Sequence, residues 1–446
     1  MRKHTVLFQI AIAVLSVVIF LQCSTQKKKR AQADESGNPN TWDASVTENA
    51  NEMMEKGKAV FRFETFGDEV FWTDKLQLHK VIADKGAGGT GEGLSPKKAL
   101  ELGLKVDLDV LPKVLKMQIR EGKLLNDVDL TLTLLKLNAV VGVVGKFEDG
   151  DLKSIGLTCA VCHSTVDDPT GIGKRLDGWP NRDLDAGAII SLAPDLSALT
   201  EALDVDVATL KKVLTSWGPG KFDAELVFDG IMFRPDGKSA ATLIPEAYGH
   251  AGHNNHTWTG GRGTVTYWNA YVANTQLMGQ GIFYDKRLMD EEKYPVGAKL
   301  GLANKRTTDD KVSDKLAALH FYQLAMPAPK APKGSFDEGA ASRGELVFNG
   351  KAKCATCHVP PLFTEPGWNT HTPEEIGIDD FQANRSPEKT YVTQGLRGLW
   401  AHAKGGFYHD GRFATLIDVV NHYDNFQKLN LTESEKKDLV EYLKSI

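Results

Sequence analysis

Apolar residues at helical spacing mark most of the chain. At its end, Leu439, Val440, Leu443 and Ile446 fall on one face, and Thr432 with Glu435 three residues on makes a capping box before them. The same periodicity predicts helices over 206–217, stopped by Gly218, over 312–326, and over about 336–348. Ser95 and Pro96 supply an N-cap and a first-turn proline for a helix reaching Leu102, where Gly103 ends it, and a further helix is expected over about 108–120. Met53, Met54, Ala59, Val60 and Phe61 place the onset of order near Asn51. The stretch 128–144 is strongly apolar but short and broken by Lys136 and Asn138, so it reads as a buried helix and not a membrane span. Strict alternation is scarce, and the expected fold class is mainly α.

Punctuation divides the chain. Pro327, Pro329, Pro332 and Gly334 make 327–335 a proline-rich linker between a region at 51–326 and another at 336–446, with Met326 just before it reading as core. At the other end, Arg2 and Lys3 precede an apolar run from Thr5 to Gln22, which reads as an export signal over residues 1–22. The basic cluster Lys27 to Arg30 would hold the body inside the cytoplasm if that run stayed as an anchor, and cleavage removes the conflict. Leu21-Gln22-Cys23 resembles a loose lipoprotein cleavage site, which makes Cys23 a candidate for lipidation; plain secretion or an uncleaved anchor are the alternatives. Residues 23–50 are polar and poor in large apolar side chains, a tether composition. The expected location is periplasmic or cell-envelope, held by a lipid.

The length of 446 residues and a hydrophobic content of 41% permit sizeable cores. A net charge of −5 leaves no broad basic face, so nucleic acid is not an expected partner. Five cysteines cannot scaffold so long a chain, yet four form two close pairs. Cys159-Ala160-Val161-Cys162-His163 and Cys354-Ala355-Thr356-Cys357-His358 are both C-x-x-C-H, the attachment signal for haem c. On one helical turn the two thiols share a face and reach the two vinyl groups of one porphyrin, while the next residue offers an imidazole to the iron. Cys162 and Cys354 lie far beyond zinc-ribbon spacing, and a dithiol redox pair needs no histidine after it. The expected cofactors are therefore two covalently bound haem c groups. Haem c is attached outside the cytoplasmic membrane, in agreement with the export signal.

With these motifs, the runs Thr390 to Trp400, Gly406 to Arg412 with its Tyr408-His409-Asp410-Gly411 element, and Leu416 to Tyr423 resemble the bacterial di-haem cytochrome c peroxidase superfamily. That superfamily also contains MauG-type enzymes and the haem-dependent rubber oxygenases. The resemblance covers both motifs and 340–446, whereas 51–158 and about 165–245 match the peroxidases poorly. It implies two cytochrome c-like haem domains with long loops and an N-terminal helical extension. It implies His163 as the proximal ligand of a working haem and His358 as that of a relay haem. The segment from His256 to Asn269 resembles the one carrying a removable distal histidine, with His256 in that place and His250 or His253 as substitutes, or all three in a plain histidine-rich loop. In spacing, Trp268 and Phe283 resemble the tryptophan and distal phenylalanine of rubber oxygenases. The sixth ligand of the relay haem falls among Tyr423, His422 and His409, and an oxygen or nitrogen donor there would lower the potential relative to methionine. Arg397 and Arg412 are candidates for haem propionates, and Glu246 or a distal histidine for a proton donor. Related peroxidases hold calcium between their haems, so calcium is a possible further ion. The implied reaction is reduction of hydrogen peroxide with electrons from a small redox protein, a cytochrome c or cupredoxin. An oxygenase using dioxygen and a non-catalytic electron carrier are the alternatives.

Overall fold

Helices make up 45% of the computed structural model, and its strands form four separate two-stranded antiparallel sheets among the described residues, so the fold is mainly α as expected. The structure describes residues 41–166, 173–260, 263–402 and 404–446. The signal at 1–22, Cys23, the first part of the tether, and Gly261 with Arg262 lie outside the described residues. Residues 1–52 and 53–446 form two units. None of the described helices is long and apolar enough to cross a membrane.

Several capped helices fall where expected. Asp206 caps Val207–Trp217, Ser95 caps Pro96–Glu101, Asp337 caps Glu338–Asn349, and Thr432 closes the capping box of Glu433–Ser445. The last two helices pack closely because residue 344 is glycine: a Cβ there would come within 2.0 Å of the Asp438 carbonyl. Phe348 and Tyr442 meet between them at a ring distance of 5.2 Å and anchor the C-terminal core. The helix expected over 312–326 begins as a 3-10 turn, Ser313–Lys315, and runs on as Leu316–Ala325.

Three expectations need correction. Regular structure is present well before Asn51, because Trp42–Phe63 is one helix with Asp43 in its first turn and no proline or glycine before Gly57. Residues 42–50 are therefore not tether. The element expected over 108–120 is split: Asp107 caps a short 3-10 turn, Leu108–Val110, Pro112 holds the preceding Leu111 extended, and the helix is Lys113–Arg120. The apolar stretch 128–144 is a helix only over Val128–Lys136; left-handed Asn138 ends it, and Val143–Glu148 is a strand paired with Asp151–Leu157 across Asp149-Gly150. That hairpin leads straight into the first cysteine pair.

Polar contacts lock the region before the proline linker to the region after it. Arg385 is buried with Asp229 at 2.7 Å and Asp223 at 2.9 Å, and it donates to the Ala240 carbonyl at 3.1 Å. The Leu243 N–H donates to the His409 carbonyl at 2.7 Å, and Lys404 pairs with Asp183 at 2.7 Å.

Candidate functional site

The hairpin delivers Cys159 to the start of a one-turn helix, Ala160–His163, so both thiols and the imidazole share that turn. His163 Nδ1 lies 3.1 Å from the Pro245 carbonyl. A carbonyl only accepts, so Nδ1 carries the proton and Nε2 keeps its lone pair. Burial pushes the imidazole down to about 4 and both thiols up to about 12. All three border a cavity offering about 290 Å³ to the centres of water-sized molecules, with aliphatic walls such as Leu135, Ile155 and Ile190. Two unbridged thiols, a neutral imidazole with its lone pair free, and a large apolar space fit a thioether-bound porphyrin.

Other walls of this cavity come from the loop 245–259 and the helix Val265–Thr275. Glu246, His250, His256 and Trp268 all reach it. Glu246 Oε2 is buried without a hydrogen-bond partner, and the nearest ring nitrogen of His402 is 3.8 Å away. His256 is pushed down to about 4, and His250 well below its usual range, chiefly by burial. Phe283 is a correction: it does not line the cavity. The strand Ile282–Tyr284, paired with Asn304–Arg306, turns it into an aromatic cluster with Tyr267 and Tyr271, both at 5.8 Å.

The second motif forms a 3-10 turn, Cys354–Thr356, entered through left-handed Lys353. His358 Nδ1 lies 3.0 Å from the Phe363 carbonyl, which again leaves Nε2 with its lone pair. Burial raises the Tyr423 phenol, with the neighbouring Cys357 and Cys354 adding to it, and its ring is 6.5 Å from that of Tyr408. His422 donates from Nε2 to the Ile376 carbonyl at 3.0 Å, which leaves Nδ1 with its lone pair. His409 is buried, stacked on Tyr391 at 5.2 Å and set beside Asp379 and Asp410. Arg412 is committed, its guanidinium held by Asp410 and Asp379. Arg234 joins the same acidic pair, so these carboxylates do not make the free oxygen cage that calcium takes. Arg397 donates to the Gly249 carbonyl and keeps a buried Nε without a partner.

Sequence reasoning passed over Arg182, Trp179 and Trp400. Arg182 is close to Glu246 and His163, and its Nη1 is buried without a partner, which suits an anionic group better than the occupied Arg412. Trp179, following the first motif, meets Trp400 edge to face at 5.6 Å and Tyr248 at 6.3 Å. No motif carries Arg182 or Trp179, and Trp400 only closes the run from Thr390; the fold brings them together.

No family model matches the chain. The methylamine utilization protein MauG of Methylorubrum extorquens is 28% identical over 153 residues, which is 29% of this chain and 43% of MauG. The cytochrome-c peroxidase IdrP1 of Denitromonas iodatirespirans is 22% identical over 333 residues, 63% of this chain and 81% of that protein. The chain is thus similar, at low identity, to MauG and to a cytochrome c peroxidase. Its match spans less than half the length of MauG. Among solved structures, a MauG-like protein associated with microbial copper homeostasis gives a TM-score of 0.31 at 20% identity, over 48% of this chain and 75% of that one. Kuenenia stuttgartiensis hydrazine synthase gives 0.28 at 19% over the same shares.

Proposed function

We propose that the protein is an exported di-haem c-type oxidoreductase that reduces hydrogen peroxide, with electrons passing from the C-terminal haem site to the N-terminal one. The observation that carries the reading is the repeated local device: a C-x-x-C-H turn whose histidine gives its Nδ1 proton to a backbone carbonyl and turns its lone pair outward. The names of the relatives support the reaction class. Bound haem would supply an iron that exchanges electrons and accepts an oxygen ligand.

The chain's own residues supply the rest. His163 is oriented by Pro245, and the aliphatic walls exclude water from the first cavity. Reduction of peroxide to water consumes protons, and Glu246, with an unpartnered Oε2 on the cavity wall, can hold one there. Trp179, Trp400 and Tyr248 place aromatic rings across the seam between the two regions and offer electrons a route. Tyr423, beside Cys354 and Cys357, would help hold the iron of a haem in the C-terminal site. A cytochrome c or cupredoxin would deliver electrons to that half, and Cys23 would carry the lipid that holds the protein in the cell envelope.

Protein matured in a host competent for haem c should show two thioether-bound haems by mass spectrometry. After half reduction it should consume peroxide at the expense of reduced cytochrome c or cupredoxin. Two permanently six-coordinate haems without any peroxide reaction would overturn the peroxidase reading and leave an electron carrier. The aliphatic cavity favours a second reading, a dioxygen-using oxygenase acting on an apolar substrate. Oxygen uptake that depends on a hydrocarbon, with no peroxide turnover, would select it.

A further inference from the structure

His250, His253 and His256 come from one loop, and a ring nitrogen of each lies within 4.8 Å of the other two. The backbone is shaped for this convergence. Gly249 and Gly252 are left-handed, and the His253 N–H donates to the His250 carbonyl at 3.0 Å. A Cβ on Gly252 would press to 2.8 Å on Leu362, so the loop can turn there only with glycine. The rings of His250 and His256 are 4.5 Å apart and those of His253 and His256 6.2 Å.

His253 Nε2 is buried with no hydrogen-bond partner. The Leu362 carbonyl stands within hydrogen-bonding reach of His253, and the His253 carbonyl within reach of His256. Carbonyls there anchor the second ring nitrogen and leave the first with its lone pair, the arrangement that metal-ligating imidazoles take. Glu246 and Arg397 are the charged groups facing the cluster, and they oppose each other in sign.

We propose that His250, His253 and His256 form a mononuclear site for a divalent first-row metal of the copper or zinc class. Metal–nitrogen bonds of roughly 2.0–2.1 Å would draw the three nitrogens to about 3.5 Å apart, a modest closure of the observed cluster. Three neutral imidazoles with no thiolate suit these ions, and copper(II) heads the order of divalent affinities. The site stands on the histidine cluster alone and does not rest on the haem reading. It places a second metal at the edge of the cavity that holds Cys159 and His163.

The test uses full-length, haem-loaded protein stripped of loose metal with a chelator and titrated with copper(II) or zinc(II). One equivalent should bind beyond the haem iron, counted by mass spectrometric metal analysis, and bound copper(II) should show nitrogen hyperfine coupling in its EPR spectrum. His253→Ala should weaken binding at least tenfold with haem content unchanged, and His253→Gln serves if the alanine variant does not fold. No additional equivalent in the wild type, or undiminished binding in both variants, would overturn the site. A protein that binds the extra metal but carries no haem would leave the site standing and remove the peroxidase reading instead.

Discussion

Around Cys159 to His163 the chain wraps a hairpin, the helices Pro96–Glu101 and Val128–Lys136, and the loop 245–259, whereas Cys354 to His358 lies beside a two-helix core with Thr356 exposed. Burial pushes both thiols of the first motif and Cys354 of the second up to about 12, and Cys357 is raised by burial with Glu365 and Glu375 adding to it. One five-residue motif thus serves two environments. Leu78, Val81, Leu94 and Leu134, which wall the first, belong to the region 51–158 before the first motif. This region walls in the first C-x-x-C-H turn and, among the described residues, has no like part over the second.

The sharpest test of this contrast is to replace each cysteine pair with alanine. Cys159→Ala with Cys162→Ala should abolish peroxide turnover and lower the melting temperature more than Cys354→Ala with Cys357→Ala, because the larger apolar chamber loses its filler. Haem staining and calorimetry read both effects, and equal losses of stability would erase the distinction. Next in size, Glu246→Gln should lower kcat for peroxide about 10²–10⁴-fold while both haems are retained. Unchanged turnover would assign the proton to another group.

A smaller effect concerns Asp68, fully buried beside the strand that feeds the first motif, where it accepts the Leu157 N–H at 3.0 Å. Burial pushes its carboxyl up to about 9. The unfolded chain loses this proton near pH 4 and the folded one only near 9, so the folded form binds more protons in between and stability declines as pH rises across that window. Asp68→Asn keeps an acceptor and has no proton to lose, so its melting temperature should fall less between pH 6 and pH 9; parallel declines would remove Asp68 as the cause. The smallest effect is expected at the seam. Burial alone would raise Asp183, but Lys105 and Lys404 hold it down to about 2. Lys404→Ala should cost about 0–1 kcal/mol at pH 7 for this partly exposed pair and make the acid loss of stability between about pH 4 and 2 shallower. An acid limb as steep as that of the wild type would show that Lys404 does not hold the carboxylate down.

Local chemistry was legible in the sequence, and directions in space were not. The two C-x-x-C-H turns, the Thr432–Glu435 box and the Ser95 cap depend on near neighbours, and each forms where the spacing put it. The helix at Trp42 was hidden because a polar composition does not separate a solvated helix from a tether. The hairpin at 143–157 was missed although Asp149-Gly150 signals its turn, because hydrophobic Val143 and Val144 continue the preceding apolar run. Phe283 was assigned by resemblance in spacing and Arg412 by the fit of a guanidinium to carboxylates, yet strand pairing turns one away from the cavity and two carboxylates occupy the other. Arg182 had no motif to announce it, since its neighbours Glu246 and His163 are distant in sequence.

The buried Arg385 with its two aspartates, and the backbone bond from Leu243 to His409, also set an order of events during biogenesis. On the proposed reading, porphyrins would be stitched to their cysteines while the polypeptide is still open, since a closed seam would bar the ligating enzyme from the inner turn. Maturation would then run from attachment to closure, and a chain that shut too early would be stranded as an apoprotein.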